Sequence, residues 1–243
     1  MDSVSEKYVN GSEYIMKEEY LKLNDGSRMP RLGMGTWYLG ENKAARKQEI
    51  EALRAGIHAG CSLIDTAEMY GSGKSEQLIG EAIKGIDRSS LFIVSKVYPH
   101  NAGRAHIFDA LDRSLRNLRT DYLDLYLLHW RGQVPLRETV ECMEQLVKEG
   151  KIRRWGVSNF DTDDMEELFS VKNGDHCAVN QVLYHLGSRG VEYDLMPWLE
   201  EHHVPLMAYC PLAQGGDLRR GLLNNKAVQM VAEQRHITAM QVL

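Results

Sequence analysis

Leu63-Ile64-Asp65-Thr66-Ala67-Glu68-Met69-Tyr70 sets an acid at the end of an apolar run. With Cys61 and Ser62 before it and Gly60 as a stop, Leu63-Ile64 reads as a buried strand. A carboxylate in a core is expensive unless paired. Asp65 alone is an ordinary helix cap. Two further strand-like runs change that balance. Leu91-Phe92-Ile93-Val94-Ser95 ends in Lys96, and Leu123-Asp124-Leu125-Tyr126-Leu127-Leu128 ends in His129. Three strands therefore carry Asp, Lys and His at equivalent ends. Tyr70 follows the first, where a loop can bring it back over the strand end. In a parallel barrel such ends converge on the face that holds catalysis.

Outward from this stretch, strand and helix patterns alternate. Tyr20-Leu21-Lys22-Leu23, the turn residues Asn24-Asp25-Gly26, and residues 29–33 predict a hairpin. Residues 32–36 predict a first buried strand, with later strands at 153–157, 178–182 and 205–209. Apolar spacing predicts helices over 44–59, 75–84, 105–118, 136–148, 161–171, 193–202 and 222–235. Ser75 and Asp161 are their expected N-caps, and Thr238 caps the start of another helix. Unbroken βα alternation implies a parallel sheet with helices outside, and no second composition zone divides it. The fold class expected is α/β, a (β/α)8 TIM barrel with an N-terminal hairpin. Residues 18–243 form its one domain, and residues 1–17 form a loose extension. Only seven βα units can be counted before Leu243, so the eighth strand and helix are expected to be missing.

The chain has 243 residues and a formal net charge of -5, which leaves no basic footprint for nucleic acid. It contains no apolar run long enough to span a membrane and no secretory leader. The four cysteines, Cys61, Cys142, Cys177 and Cys210, are far apart, as for reduced thiols in a cytoplasm. No metal site is expected. His202 and His203 are neighbours on a helix and diverge by about 100°. Gly71-Ser72-Gly73-Lys74-Ser75 looks like the end of a phosphate loop, but Glu68 stands where its first glycine belongs. Gly33-Met34-Gly35 begins like a dinucleotide fingerprint, but Tyr38 takes the third glycine's place.

Asp65, Tyr70, Lys96 and His129 at these spacings resemble the tetrad of the aldo-keto reductase superfamily. So do Gly33-Met34-Gly35-Thr36-Trp37, Gly156-Val157-Ser158-Asn159-Phe160, Asn180-Gln181 and Tyr209-Cys210-Pro211-Leu212, in family order over residues 20–243. Ala67-Glu68-Met69-Tyr70 and the run from Val182 to Gly190 look most like bacterial members that reduce methylglyoxal and other small aldehydes.

The resemblance implies hydride transfer from NADPH, in preference to NADH, to a small carbonyl compound. The implied protein is a cytoplasmic monomer when complete, and a shortened chain could associate. Tyr70 would be the general acid, with Lys96 beside it lowering its pKa. Asp65 would keep Lys96 charged, and His129 would orient the carbonyl. Ser158, Asn159 and Gln181 resemble the family's carboxamide ligands, Tyr209 its stacking ring, and Gly35, Thr36, Trp37 and Asp65 further cofactor contacts. Cys210, Pro211, Leu212, Gln214 and Gly216 would form the loop near the pyrophosphate, with Arg219 and Arg220 as added charge. Trp37, Tyr98, His129 and Trp130 would wall the substrate site. Two readings compete. One is a cofactor-binding sensor or regulatory subunit of the same fold, like potassium-channel β subunits. The other is an aldolase-like barrel using Lys96 as a Schiff-base lysine.

Overall fold

The computed structural model of the chain describes residues 19–214 and 216–243. The extension expected over residues 1–17 lies outside them. A hairpin comes first, β1 (Tyr20–Lys22) against β2 (Arg28–Pro30), turning at Gly26 with φ 81°. Seven parallel strands follow in sequence order, β3 (Gly33–Gly35), β4 (Leu63–Asp65), β5 (Phe92–Val97), β6 (Leu125–Leu128), β7 (Trp155–Ser158), β8 (Asn180–Leu183) and β9 (Leu206–Tyr209). Helices α1 (Arg46–His58), α2 (Lys74–Ala82), α3 (Ile107–Leu118), α4 (Leu136–Lys148), α5 (Thr162–Ser170) and α6 (Leu195–Glu201) connect them in turn. After β9 come α7 (Gly216–Leu223), α8 (Lys226–Arg235) and α9 (Ala239–Val242). Seven parallel strands in a nearly closed barrel with helices outside match the expected class.

Strand residues alternate between two cores because side chains point to opposite faces every second residue. Leu63, Phe92, Val94, Leu125, Leu127 and Val179 fill the barrel, and Leu23 and Met29 of the hairpin plug its lower end. Ile64, Ile93, Val97, Tyr126, Leu128, Trp155 and Val157 face outward against the helices. Continuing the inward phase one step puts Asp65 above Leu63, Lys96 above Val94, His129 above Leu127 and Gln181 above Val179. The chemistry of the upper face is thus fixed by the same alternation that packs the core.

Three local expectations are corrected. Residue Ser75 does not cap α2. Gly73, at φ 86°, precedes the helix, and the buried Ser75 hydroxyl donates to Thr36 Oγ1 at 2.8 Å. Residues 32–36 do not make a buried strand, since Gly33 and Gly35 of β3 are exposed and Met34 is half-buried. The helix expected over 222–235 is two, α7 and α8. Asn225 separates them and caps α8, accepting from the Ala227 amide at 2.9 Å. By contrast Asp161 caps α5 in a full capping box with Asp164, and Thr238 does so with Gln241.

Candidate active site

Lys96 is the centre of the upper face. It is 1 % exposed, and its Nζ donates to Asp65 Oδ1 at 2.7 Å, Asp65 Oδ2 at 2.9 Å and the Thr66 carbonyl at 2.8 Å. The Tyr70 hydroxyl lies 3.3 Å away. A buried ammonium is tolerated only when its donors are matched, and removing one partner of such a pair costs about 3–5 kcal/mol. Burial is the largest single influence and opposes its charge, but Asp65 and Tyr70 together outweigh it and raise the Lys96 pKa. Gln181 Nε2 donates to the other side of the carboxylate, 2.8 Å from Asp65 Oδ2.

Tyr70 stands on a short 3₁₀ turn, Tyr70–Gly73, in which Ser72 takes a positive φ of 55°. Its pKa is raised above 10.0, against expectation. Burial is the largest cause, and the Asp65 charge adds to it. The Lys96 ammonium pulls the other way and is outweighed. His129 packs its ring 5.8 Å from that of Tyr70, edge to face. Burial first, then the Lys96 charge, push the His129 pKa down to about 3, so the imidazole is neutral at pH 7. Its buried Nδ1 has no hydrogen-bond partner among the described residues.

Beside the tetrad, Asn159 sits in the left-handed region at φ 57°, which asparagine adopts more readily than most residues. Its Nδ2 donates to the His129 carbonyl at 3.0 Å and to Ser158 Oγ at 3.1 Å, and its Oδ1 accepts from the Tyr209 hydroxyl at 2.9 Å. Ser158 Oγ donates to the Gln181 carbonyl at 2.8 Å. Ser158, Asn159, Gln181 and Tyr209 are therefore one bonded group. The backbone at Gly35 opens on unfilled space, since a Cβ there would meet nothing within 4 Å. Thr36 is buried, donating to the Asp65 carbonyl at 2.9 Å and accepting from Ser75.

Cys210, at φ 53°, follows β9, and Pro211, Leu212 and Gln214 form an exposed turn before Gly216 opens α7. The two arginines considered as extra charge are engaged nearby. Arg219 Nε donates to the Leu212 carbonyl at 3.0 Å, and Arg220 pairs with Asp217. The four aromatic candidates form a wall. Trp37 stacks on Tyr38 at 4.5 Å and approaches Tyr70 at 6.4 Å, while Trp130 lies between Tyr98 at 4.9 Å and His129 at 4.8 Å.

Two arrangements escaped sequence reading. The Thr36–Ser75–Thr66 hydroxyl chain underlies the site, with Ser75 Oγ 3.1 Å from Thr66 Oγ1. Glu68 reaches from the Tyr70 segment to the Tyr98 amide at 2.6 Å. Hydroxyls far apart in sequence give no periodic signal. Glu68 was visible inside the motif but carried no distinguishing role there. Among the described residues no group of His, Cys, Asp and Glu has the geometry of a metal site. No described helix is long and apolar enough to cross a membrane.

Comparison with known proteins identifies the family. Residues 31–240 match the aldo/keto reductase family. The chain is 54% identical over 228 residues to methylglyoxal reductase YeaE of Escherichia coli, covering 94% of this chain and 80% of that protein. It is 36% identical over 229 residues to glyoxal reductase of Bacillus subtilis, covering 93% and 77%. The crystal structure of an aldo/keto reductase from Klebsiella pneumoniae in complex with NADP and acetate superposes with a TM-score of 0.88 at 56% identity, covering 93% of this chain and 80% of that one. A barrel of this topology, its tetrad on the upper face and a family match over most of its length lead to one assignment: the chain belongs to the aldo/keto reductase family.

Proposed function

We propose that the chain reduces small aldehydes and ketones of the methylglyoxal type with NADPH, using Tyr70 as general acid. The observation that carries this reading is the Lys96 ammonium, bonded at once to Asp65 and to the Tyr70 hydroxyl. The bound nicotinamide supplies the hydride. The residues at hand suit such a group. Ser158, Asn159 and Gln181 together offer hydrogen-bond donors and acceptors, as an amide needs. Asn159 and Ser158, now bonded to each other, would be the residues to hold the carboxamide, with Tyr209 tethered to Asn159 beside them.

The protein's own part is the proton. As the carbonyl carbon gains the hydride, its oxygen becomes an alkoxide, a stronger base than a phenolate. Tyr70 is protonated at neutral pH, as any tyrosine whose pKa is not lowered is, so it holds the proton that is needed. The tyrosinate left behind faces the Lys96 ammonium, which stabilises it. His129, neutral at pH 7, donates to the carbonyl oxygen from one ring nitrogen without bringing a charge into a buried site. A Schiff base on Lys96 would need the neutral amine, and the raised Lys96 pKa disfavours that form.

NADPH oxidation with methylglyoxal, followed by absorbance, tests the reading. Turnover should fall about 100-fold or more in Tyr70→Phe, the usual size of a general-acid contribution. Equal turnover in the two proteins would sink the role of Tyr70. Tight NADPH binding without turnover by the unmodified chain would favour a sensor instead.

A further inference from the structure

We infer that Glu68 is a positioning residue that holds the aromatic wall of the substrate pocket in register with Tyr70. This rests on the reductase reading of the same site. Glu68 lies between Asp65 and Tyr70, and its side chain is 8% exposed. It turns away from the tetrad. Oε1 accepts from the Tyr98 amide at 2.6 Å and from Asn101 Nδ2 at 3.1 Å, and Oε2 accepts from Arg113 Nη2 at 3.1 Å. The segment's own backbone is fixed separately. The Glu68 amide donates to the Lys96 carbonyl, and the Tyr70 amide donates to that of Ala67.

The contacts close a ring. From Glu68 the path runs to Tyr98, across the ring contact at 4.9 Å to Trp130, on to His129 at 4.8 Å, and to Tyr70 at 5.8 Å. It then returns two residues along the chain. Every other joint in the ring is an aromatic contact or the backbone itself. Glu68 supplies the one charge-assisted hydrogen bond, and such bonds are short and geometrically demanding. Its bond to Arg113 is a different matter, because Arg113 is 53% exposed and exposed pairs contribute little.

Function follows from which part of the ring each bond holds. The backbone bonds fix the acid, and the Glu68 carboxylate fixes the wall. Loss of the carboxylate should therefore loosen substrate binding and leave proton donation in place. A small carbonyl compound has few polar handles, so the placement of the wall sets how well it is oriented.

The test compares Glu68→Ala, Glu68→Gln and Arg113→Gln with the unmodified chain, in methylglyoxal kinetics and in amide hydrogen exchange of a peptide spanning residues 97–103. Glu68→Ala should raise KM about tenfold with kcat changed less than about twofold, the pattern of lost substrate binding. The Tyr98 amide should exchange at least about tenfold faster. Glutamine keeps an oxygen for Tyr98 and Asn101, so Glu68→Gln should restore both readouts to within about threefold. Arg113→Gln should change neither. An unchanged KM in Glu68→Ala, or a Glu68→Gln as impaired as Glu68→Ala, would overturn the inference. A chain that folds but reduces no methylglyoxal would instead sink the reductase reading. The exchange rates would then decide the Glu68 contact alone, with unaltered Tyr98 exchange in Glu68→Ala overturning it.

Discussion

His129 shows how far burial can move a side chain from its behaviour in water. Unfolded, its pKa is near 6.5; in the barrel it is about 3. The folded state therefore binds fewer protons than the unfolded state between those two values, and stability rises with pH across that window. Going down in pH, the contribution is complete above 6.5 and is lost progressively as pH falls toward 3. At pH 4 the loss is on the order of 3 kcal/mol relative to pH 7. Urea unfolding at both pH values, for the unmodified chain and His129→Asn, should show the variant losing less stability by about that amount. An equal loss in both would mean that the ring ionises freely in the fold. Tyr70 carries the related lesson. Its identity and its neighbour Lys96 could be read from sequence, but the direction of its pKa shift could not. A nearby charge is visible in a motif. The desolvation that outweighs it depends on the whole packed mouth.

Between elements, α2 and α3 approach closely at Gly80. A Cβ on Gly80 would press on the Asn117 carbonyl oxygen and lie 3.0 Å from the Leu118 carbonyl carbon. Alanine in a helix interior is favoured over glycine by about 1 kcal/mol. Here the neighbouring atoms are backbone and cannot swing aside, and overpacking costs about 1–3 kcal/mol. Gly80→Ala should therefore be net destabilising or at best neutral in urea denaturation. A gain of the full propensity difference would show that the two helices separate easily. Element types were legible from periodicity, and α4 was placed to its first and last residue. Boundaries failed where tertiary bonds decide them. Ser75 looks like a cap and is instead drawn in beneath the active site by Thr36 and Thr66. The break before α8 had a local signal, the Asn224-Asn225 pair, and Asn225 is a favoured N-cap type.

Over the whole molecule, burial is uneven. Every residue of β5, β6 and β7 is buried, while every residue of β9 is half-buried and β3 is exposed at two of its three positions. These two strands end the seven-strand order, and each pairs on one side among the described residues. Unpaired strand edges are templates for further pairing. Sedimentation velocity of this 243-residue chain should show a coefficient that rises with protein concentration. A constant monomer value at all concentrations would show the edges to be protected. The barrel and its tetrad were legible because strand alternation and strand-end residues are written in short motifs. The hydroxyl chain and Glu68 were not, since each joins segments whose distance in sequence says nothing of their contact. The aromatic mouth has one more consequence, which is optical. Of the four tryptophans, Trp37 and Trp130 stand at the site, while Trp155 donates to Glu144 and Trp198 stacks on His202 at 3.8 Å. Indole emission responds to its surroundings, so the light from the first pair would shift when a guest enters, against a steady background from the second.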